Sequence, residues 1–244
     1  ALNSGNVTIS TDGGLDTTHG DITIADGISF ATDRTLNRTL TLTAAKNVII
    51  NGAISPASGT AGLSLAFSAT SKIQVNQPVS TGGGAIAFNG QNNGVELAAD
   101  LSTARTGGTG GAIDITGNLQ ALTVNGARTL TSGGGAISLH NGFVDAHAAT
   151  GDSLTLTAGA GAVTFDNYVG NDATNRLASL TVDSSGITTL MRGDSTQGKG
   201  IRVNGPVHFT GPVVTSTSQQ AVISTQGGNG AITFEIEAPR AGTY

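Results

Sequence analysis

Apolar residues recur along this chain in one spacing: apolar, any residue, apolar, any three residues, apolar. The first two members lie two positions apart, so they point to the same face of an extended strand. The third follows a polar or glycine-containing corner such as Asn51-Gly52, where the chain must turn before it points inward again. The eight copies are Ile22-Ile24-Ile28, Val48-Ile50-Ile54, Ile73-Val75-Val79, Val95-Leu97-Leu101, Ile113-Ile115-Leu119, Ile137-Leu139-Phe143, Val163-Phe165-Val169 and Ile201-Val203-Val207.

Successive copies begin 26, 25, 22, 18, 24, 26 and 38 residues apart, and a period of this size is typical of solenoids. A second strand type, exemplified by Leu40-Thr41-Leu42-Thr43, and glycine-rich runs such as Gly133 to Leu139 alternate with these copies. The pattern predicts two or three short strands in each coil. We therefore expect an all-β fold, a right-handed parallel β-helix of about ten coils, because parallel connections are usually right-handed.

Composition agrees with short strands and tight corners. The 244 residues include 37 glycines, only 11% charged residues and 4% aromatics, and no cysteine. Without cysteine there is no disulfide framework, thiolate zinc site or thiol nucleophile. A net charge of −5 argues against a nucleic-acid partner, which requires a basic surface. No apolar run approaches the roughly 20 residues that span a bilayer.

The whole of 1–244 is predicted to be a single β-helix segment. A single coil buries too little apolar surface to stand alone, so neighbouring coils must stabilise one another. The chain begins at Ala1 and is already in mid-repeat by Val7, and we expect it to be an excerpt of a longer repeat shaft. Stacked coils leave an open strand edge at each end, which makes end-to-end self-association a possible mode of assembly.

Several segments resemble the repeats of filamentous-haemagglutinin-type bacterial exoproteins. The resemblance rests on Gly5 to Thr11, Leu40 to Ile54 and Leu130 to Leu139. Members of that family are large secreted adhesins, built as right-handed β-helices and exported by two-partner secretion through an outer-membrane transporter. The family's export module carries an Asn-Pro-Asn motif that this sequence lacks. The resemblance therefore implies part of the repeat shaft, located outside the cell or on the bacterial surface.

Many β-helices act on polysaccharides, and such enzymes need two or three carboxylates that converge on one groove. Asp166 and Asp172 flank a strand end near Arg176, but each aspartate stands beside an asparagine in a pair that is typical of a turn. His19, His140, His147 and His208 show no metal-ligand spacing. We therefore expect no catalytic residue, metal site or cofactor.

Arg192, Gly193 and Asp194 form a tripeptide that resembles the integrin-recognition motif. It lies where the spacing stretches to 38 residues, which predicts a loop extruded from the shaft over 183–200. The guanidinium would pair with a partner carboxylate, and the aspartate with a partner-bound cation. The sequence thus makes these three residues a candidate receptor-binding site.

Two further positions, Asn6 and Asn37, begin acceptor sequons for N-glycosylation. In a chain this rich in Asn and Thr, such sequons also arise by chance.

The function expected from the sequence is that of a non-enzymatic structural adhesin. Its rigid shaft would present loops and flat faces to host cells, other bacteria or surfaces, through a cell-surface receptor or a glycan. Two alternatives stay open: a self-assembling extracellular filament or sheath subunit, and a carbohydrate-active β-helix lyase or hydrolase. A groove lined by clustered carboxylates would favour the enzyme.

Overall fold

The chain forms an all-β parallel solenoid. The computed structural model describes residues 5–11, 20–32, 38–59, 62–148, 151–171, 174–190, 200–215, 222–225 and 230–235. All regular secondary structure in these ranges is β-strand. Every pairing between named strands is parallel, and each strand pairs with its counterparts on the adjacent turns. The alternating Ile, Val, Leu and Thr residues of the sequence thus form the strands of hydrogen-bonded β-ladders. Such residues suit a pleated, half-buried surface.

The strands stack into three lateral sheets, here called A, B and C, which the chain visits in that order on each turn. Sheet A contains β1 (Val7–Ser10), β4 (Arg38–Ala44), β7 (Leu63–Ala69), β10 (Ile86–Gly90), β13 (Ile113–Thr116), β16 (Ile137–His140), β19 (Val163–Phe165), β21 (Thr188–Leu190) and β24 (Val213–Thr215).

Sheet B contains β2 (Ile22–Ile24), β5 (Val48–Ile50), β8 (Ile73–Val75), β11 (Val95–Leu97), β14 (Gln120–Val124) and β17 (Phe143–Ala146), and its face continues through Val169 to β22 (Gly200–Val203) and β25 (Val222–Thr225). Sheet C contains β3 (Ile28–Thr32), β6 (Ile54–Gly59), β9 (Val79–Ser80), β12 (Leu101–Ser102), β15 (Ala127–Thr131), β18 (Ser153–Gly159), β20 (Ser179–Ser184), β23 (Val207–Thr210) and β26 (Ile232–Glu235).

The number of turns is close to, but below, the prediction. The chain from β1 to β20 makes about seven turns, and β21 to β26 add further levels at the end of the described residues. The prediction of a parallel β-helix is confirmed, whereas ten coils are not.

Apolar side chains form continuous columns inside the three sheets. In sheet A, Leu65 pairs with Ile86, and Ile86 pairs with Ile113. Phe67 and Phe88 stack in the next column, with ring centroids 5.1 Å apart. Because every side chain in such a column touches its equivalent above and below, the interior is dry and closely packed.

A second kind of column, made of glycine and buried hydroxyl groups, runs along the corner between sheets C and A. A Cβ atom added to Gly161 would overlap the carbonyl oxygen of Gly135, so only glycine fits where the backbones of neighbouring turns approach this closely. Next to it, four buried hydroxyl groups hydrogen-bond to glycine carbonyl oxygens of the corner; they belong to Thr81, Thr103, Ser132 and Ser184.

The apolar spacing that predicted the fold does not mark a single face. The copies at Ile22, Val48, Ile73, Val95 and Ile201 span the corner from sheet B to sheet C, whereas those at Ile113, Ile137 and Val163 span the corner from A to B. The spacing of 18 residues and that of 38 residues mark the two places where the pattern changes corner. Two predicted inward residues are wrong: Leu119 is 71% exposed, and Phe143 is only partly buried and lies outside the core, stacked on Tyr168.

The predicted loop over 183–200 contains more strand than expected. Asp183 and Ser184 end β20, Thr188–Leu190 form β21, and Gly200 begins β22. Residues 185–187 are described and connect β20 to β21, whereas 191–199 lie outside the described residues. A described protrusion occurs elsewhere, at the exposed residues around Thr106, where an antiparallel bridge joins Arg105 to Gly108.

Candidate functional site

The sequence-predicted binding residues fall largely beyond what the structure describes. Arg192, Gly193, Asp194 and Asn37 lie outside the described residues, so the receptor-binding prediction stays a prediction. Asn6 has an exposed side chain, and its Oδ1 atom accepts a hydrogen bond of 3.0 Å from the backbone N–H of Thr39. Asn6 is thus the one predicted site residue that the structure describes.

Sheet A carries a ladder of acidic and histidine side chains on its outer face. The Nε2 atom of His140 lies 3.7 Å from Oδ1 of Asp114, and its Nδ1 atom lies 3.9 Å from Oδ2 of Asp166. These three residues come from successive turns, because β13, β16 and β19 are neighbours. Asp166 also accepts the backbone N–H of Asn141 at 3.3 Å, which ties its carboxylate to the corner that follows β16.

A shallow groove of about 310 Å³ lies on the same face, beside this ladder. Its floor is formed where two outward alanines, Ala66 and Ala87, are register partners on neighbouring strands. Polar side chains surround them, and Asp114 is the register partner of Ala87 on the next turn. The lining residues are Thr41, Thr43, Ala66, Phe67, Ser68, Ala87, Phe88, Asn89, Asp114 and Thr116.

Sheet B presents a second group of three titratable side chains on its outer face. Glu96 accepts a hydrogen bond of 2.8 Å from Nζ of Lys72, and Nδ1 of His147 lies 3.6 Å from its other oxygen. Partial burial raises the pKa of Glu96, but the hydrogen bond and charge of Lys72, the hydrogen bond of Gln74 and the charge of His147 together bring the pKa below its ordinary value. Glu96 therefore stays ionised near neutral pH, which suits an ion pair and not a general acid.

Two further carboxylates accept hydrogen bonds from backbone N–H groups. Asp152 accepts the N–H groups of Gly126 at 2.6 Å and Ala148 at 2.8 Å, and Asp145 accepts that of Asn171 at 2.8 Å. Both aspartates are only 6% exposed. A buried carboxylate needs hydrogen-bond donors, and these backbone N–H groups supply them, so the two side chains hold the corners between turns.

Over the described ranges, no group of three or more His, Cys, Asp or Glu side chains is arranged to hold a metal ion. The same residues include no helix with the length and apolar character needed to cross a membrane.

A comparison of the chain with protein-family models, with curated proteins and with solved structures finds no match. The site must therefore be interpreted from its own geometry.

Sequence reasoning missed the groove because alanine is an unremarkable residue. A signal was present, however, in Leu65-Ala66-Phe67 and Ile86-Ala87-Phe88. Each places the smallest outward side chain between two inward ones, and the two segments lie on consecutive turns. An outward alanine repeated at one register position creates a depression between taller neighbours.

Proposed function

We propose that this chain is a non-enzymatic adhesive segment of a secreted or cell-surface protein, in which the solenoid acts as a rigid shaft. The observation that carries the proposal is the sheet A face, where short polar side chains are held in register over many turns. Such a face offers repeated weak contacts, and repetition converts weak contacts into firm attachment. We take the winding to be right-handed, as parallel connections nearly always are.

The positions of the carboxylates support a binding role over the carbohydrate-active alternative. Glycoside cleavage needs two carboxyl groups on one groove, one of them held protonated. Glu96 is paired with Lys72, and Asp145 and Asp152 accept backbone N–H groups. Asp114 is the one carboxylate that lines the groove described on sheet A. Glu96, Asp145 and Asp152 thus already have structural partners, and the groove lining offers Asp114 no second carboxylate.

The resemblance to filamentous-haemagglutinin-type exoproteins supports the same proposal and implies export through an outer-membrane two-partner-secretion transporter. The predicted attachment partner is a cell-surface receptor or glycan. The filament alternative draws on one observation: Ile232 and Phe234, in the last described strand, are 41% and 50% exposed although they point along interior columns.

One set of measurements separates the three functions. Fluorescently labelled protein is added to epithelial cells, to bacterial cells and to a bare plastic surface, and saturable retention is measured after washing. An adhesin is retained on at least one surface, releases no reducing ends from polysaccharides and sediments independently of concentration. Absence of retention on every surface would overturn the proposal. Release of reducing ends would favour the enzyme, and concentration-dependent sedimentation would favour the filament.

A further inference from the structure

The groove on sheet A has the dimensions of an extended binding subsite. Its column runs from Thr41 through Ala66 and Ala87 to Asp114, one residue from each of four neighbouring strands. At a strand spacing of about 4.8 Å, these four levels cover roughly 14 Å along the solenoid axis. The floor therefore suits an elongated ligand that lies across the strands.

The chemistry of the lining is that of a site for hydroxyl groups. A second column beside the floor contributes the hydroxyls of Thr43, Ser68 and Thr116 and the amide of Asn89. Hydroxyl and amide groups both donate and accept hydrogen bonds. Threonine and serine are short, so little side-chain freedom is lost when they bind. The methyl groups of the two alanines offer a flat apolar floor for the C–H face of a ring.

Charge restricts the class of ligand. Among the described residues that line the groove, Asp114 alone is charged, and its side chain is 50% exposed. A carboxylate accepts hydrogen bonds from hydroxyl or amino groups but repels sulfates, phosphates and carboxylates. An extended peptide would normally pair with a strand edge, and this groove lies on the face of the sheet, away from any edge.

We propose that this groove binds a neutral polysaccharide, lying along the solenoid axis, with its hydroxyls on the Thr, Ser and Asn side chains and on Asp114. The inference rests on the proposed adhesive function and names the chemical class of its partner. Ala87 is the specificity-determining position, because its small side chain leaves the space that a sugar ring occupies.

The test fills this space without removing any polar group. In Ala87→Arg, the new side chain lies next to its register partner Asp114, and an opposite-charge pair across strands favours the fold. The matched control is Thr164→Arg, on the same outward column two turns beyond Asp114. The probes are the hexasaccharides of glucose and of N-acetylglucosamine, with heparin as the anionic comparator, and binding is measured by calorimetry on the full chain.

We expect saturable binding of at least one neutral hexasaccharide. Ala87→Arg should weaken this binding by about tenfold or more, and Thr164→Arg should change it by less than about twofold. Circular dichroism checks the fold; should Ala87→Arg unfold, Asn89→Ala takes its place and should weaken binding by several-fold. Absence of neutral-sugar binding, equal binding by Ala87→Arg and wild type, or a preference for heparin would each overturn the inference.

Attachment assays on the same proteins distinguish the two proposals. Equal attachment by wild type and Ala87→Arg leaves the adhesive function standing and removes the groove from it. Hexasaccharide binding by a protein that attaches to no surface preserves the groove and removes the adhesive function.

Discussion

Two pairs of stacked phenylalanines differ in how many neighbouring turns enclose them. Phe67 and Phe88 stack in sheet A with centroids 5.1 Å apart, and Phe209 and Phe234 stack in sheet C at 5.5 Å. Phe88 is 1% exposed because β7 and β13 flank its strand on both sides. Phe234 is 50% exposed, and within the described residues its strand pairs with β23 alone.

The comparison teaches that burial in this fold is conferred by neighbouring turns. The same residue type, at the same kind of inward position, is a core residue in one turn and a surface residue in another. Stability should therefore depend on where along the axis a change is made. The first three predictions below each compare an enclosed position with a less enclosed one, and the last concerns a charged pair on the lateral face.

The largest difference in lost unfolding free energy is expected between Phe88→Ala and Phe234→Ala. Removing a ring enclosed on both sides loses its burial and leaves a cavity, so Phe88→Ala should cost about 3–5 kcal/mol of unfolding free energy. Phe234→Ala should cost less than about 1.5 kcal/mol, because half of the ring is already in water. Urea unfolding followed by circular dichroism measures both, and equal losses would refute the comparison.

Glycine substitutions should show the same contrast on a smaller scale. Gly161→Ala pushes a methyl group against the backbone of Gly135 and should cost about 1–3 kcal/mol, as overpacking does. Gly5, in the first described turn, has nothing within 4 Å of an added Cβ. Gly5→Ala should leave the urea midpoint unchanged within error, and a comparable loss at both glycines would contradict the close approach inferred here.

At one inward position, a substitution should raise the free energy of unfolding. Thr188 is fully buried in the column that contains Val163 and Val213, and its Oγ1 atom has no hydrogen-bond partner. Thr188→Val keeps the shape and removes the unsatisfied hydroxyl, so stability should rise by about 1 kcal/mol. The control, Thr189→Val, changes an outward residue of the same strand and should be neutral. A loss of stability in Thr188→Val would show that the hydroxyl is satisfied.

The smallest effect is expected on the lateral face, at the pair of Glu96 and Lys72. Because the folded-state pKa of Glu96 is lowered, the stability that the pair contributes is present above the ordinary carboxyl pKa. It is lost as the pH falls through the lowered value. The pair is partly exposed, so Glu96→Gln should cost less than about 1 kcal/mol at pH 7 and should flatten the acid side of the stability profile.

A double-mutant cycle with Lys72→Met isolates this interaction. The coupling energy should be favourable at pH 7 and should vanish in acid. A coupling that is independent of pH would mean that the two side chains act through packing and not through charge.

The fold was accessible from the sequence because the apolar spacing is a local property of a strand and its corner. Paired members such as Val48 and Ile50 fix an inward face without knowledge of distant residues. The assignment of each copy to a particular corner was not accessible, because the corner from A to B and the corner from B to C use the same apolar spacing. The spacing of 38 residues was therefore interpreted as an extruded loop over 183–200, whereas part of it comes from a change of corner.

The candidate site was harder to predict, because it depends on which residues become register partners. Ala66 and Ala87 are separated by a whole turn, and only the pairing of β7 with β10 places them side by side. The same holds for His140 and its two aspartates, which the sequence presents as unrelated polar residues. The buried hydroxyls of Thr81 and Ser132 were likewise hidden, since the sequence pattern places hydroxyl side chains on the outside.

The parallel register between turns has a consequence for how such a chain can change its size. Each turn meets its neighbours through the same parallel ladders, so duplicating or deleting one whole turn would keep the strand pairing and the inward columns on either side of the change. The rod would then lengthen or shorten in steps of about 4.8 Å. A chain of this kind can change its length by gene duplication while keeping the same type of core.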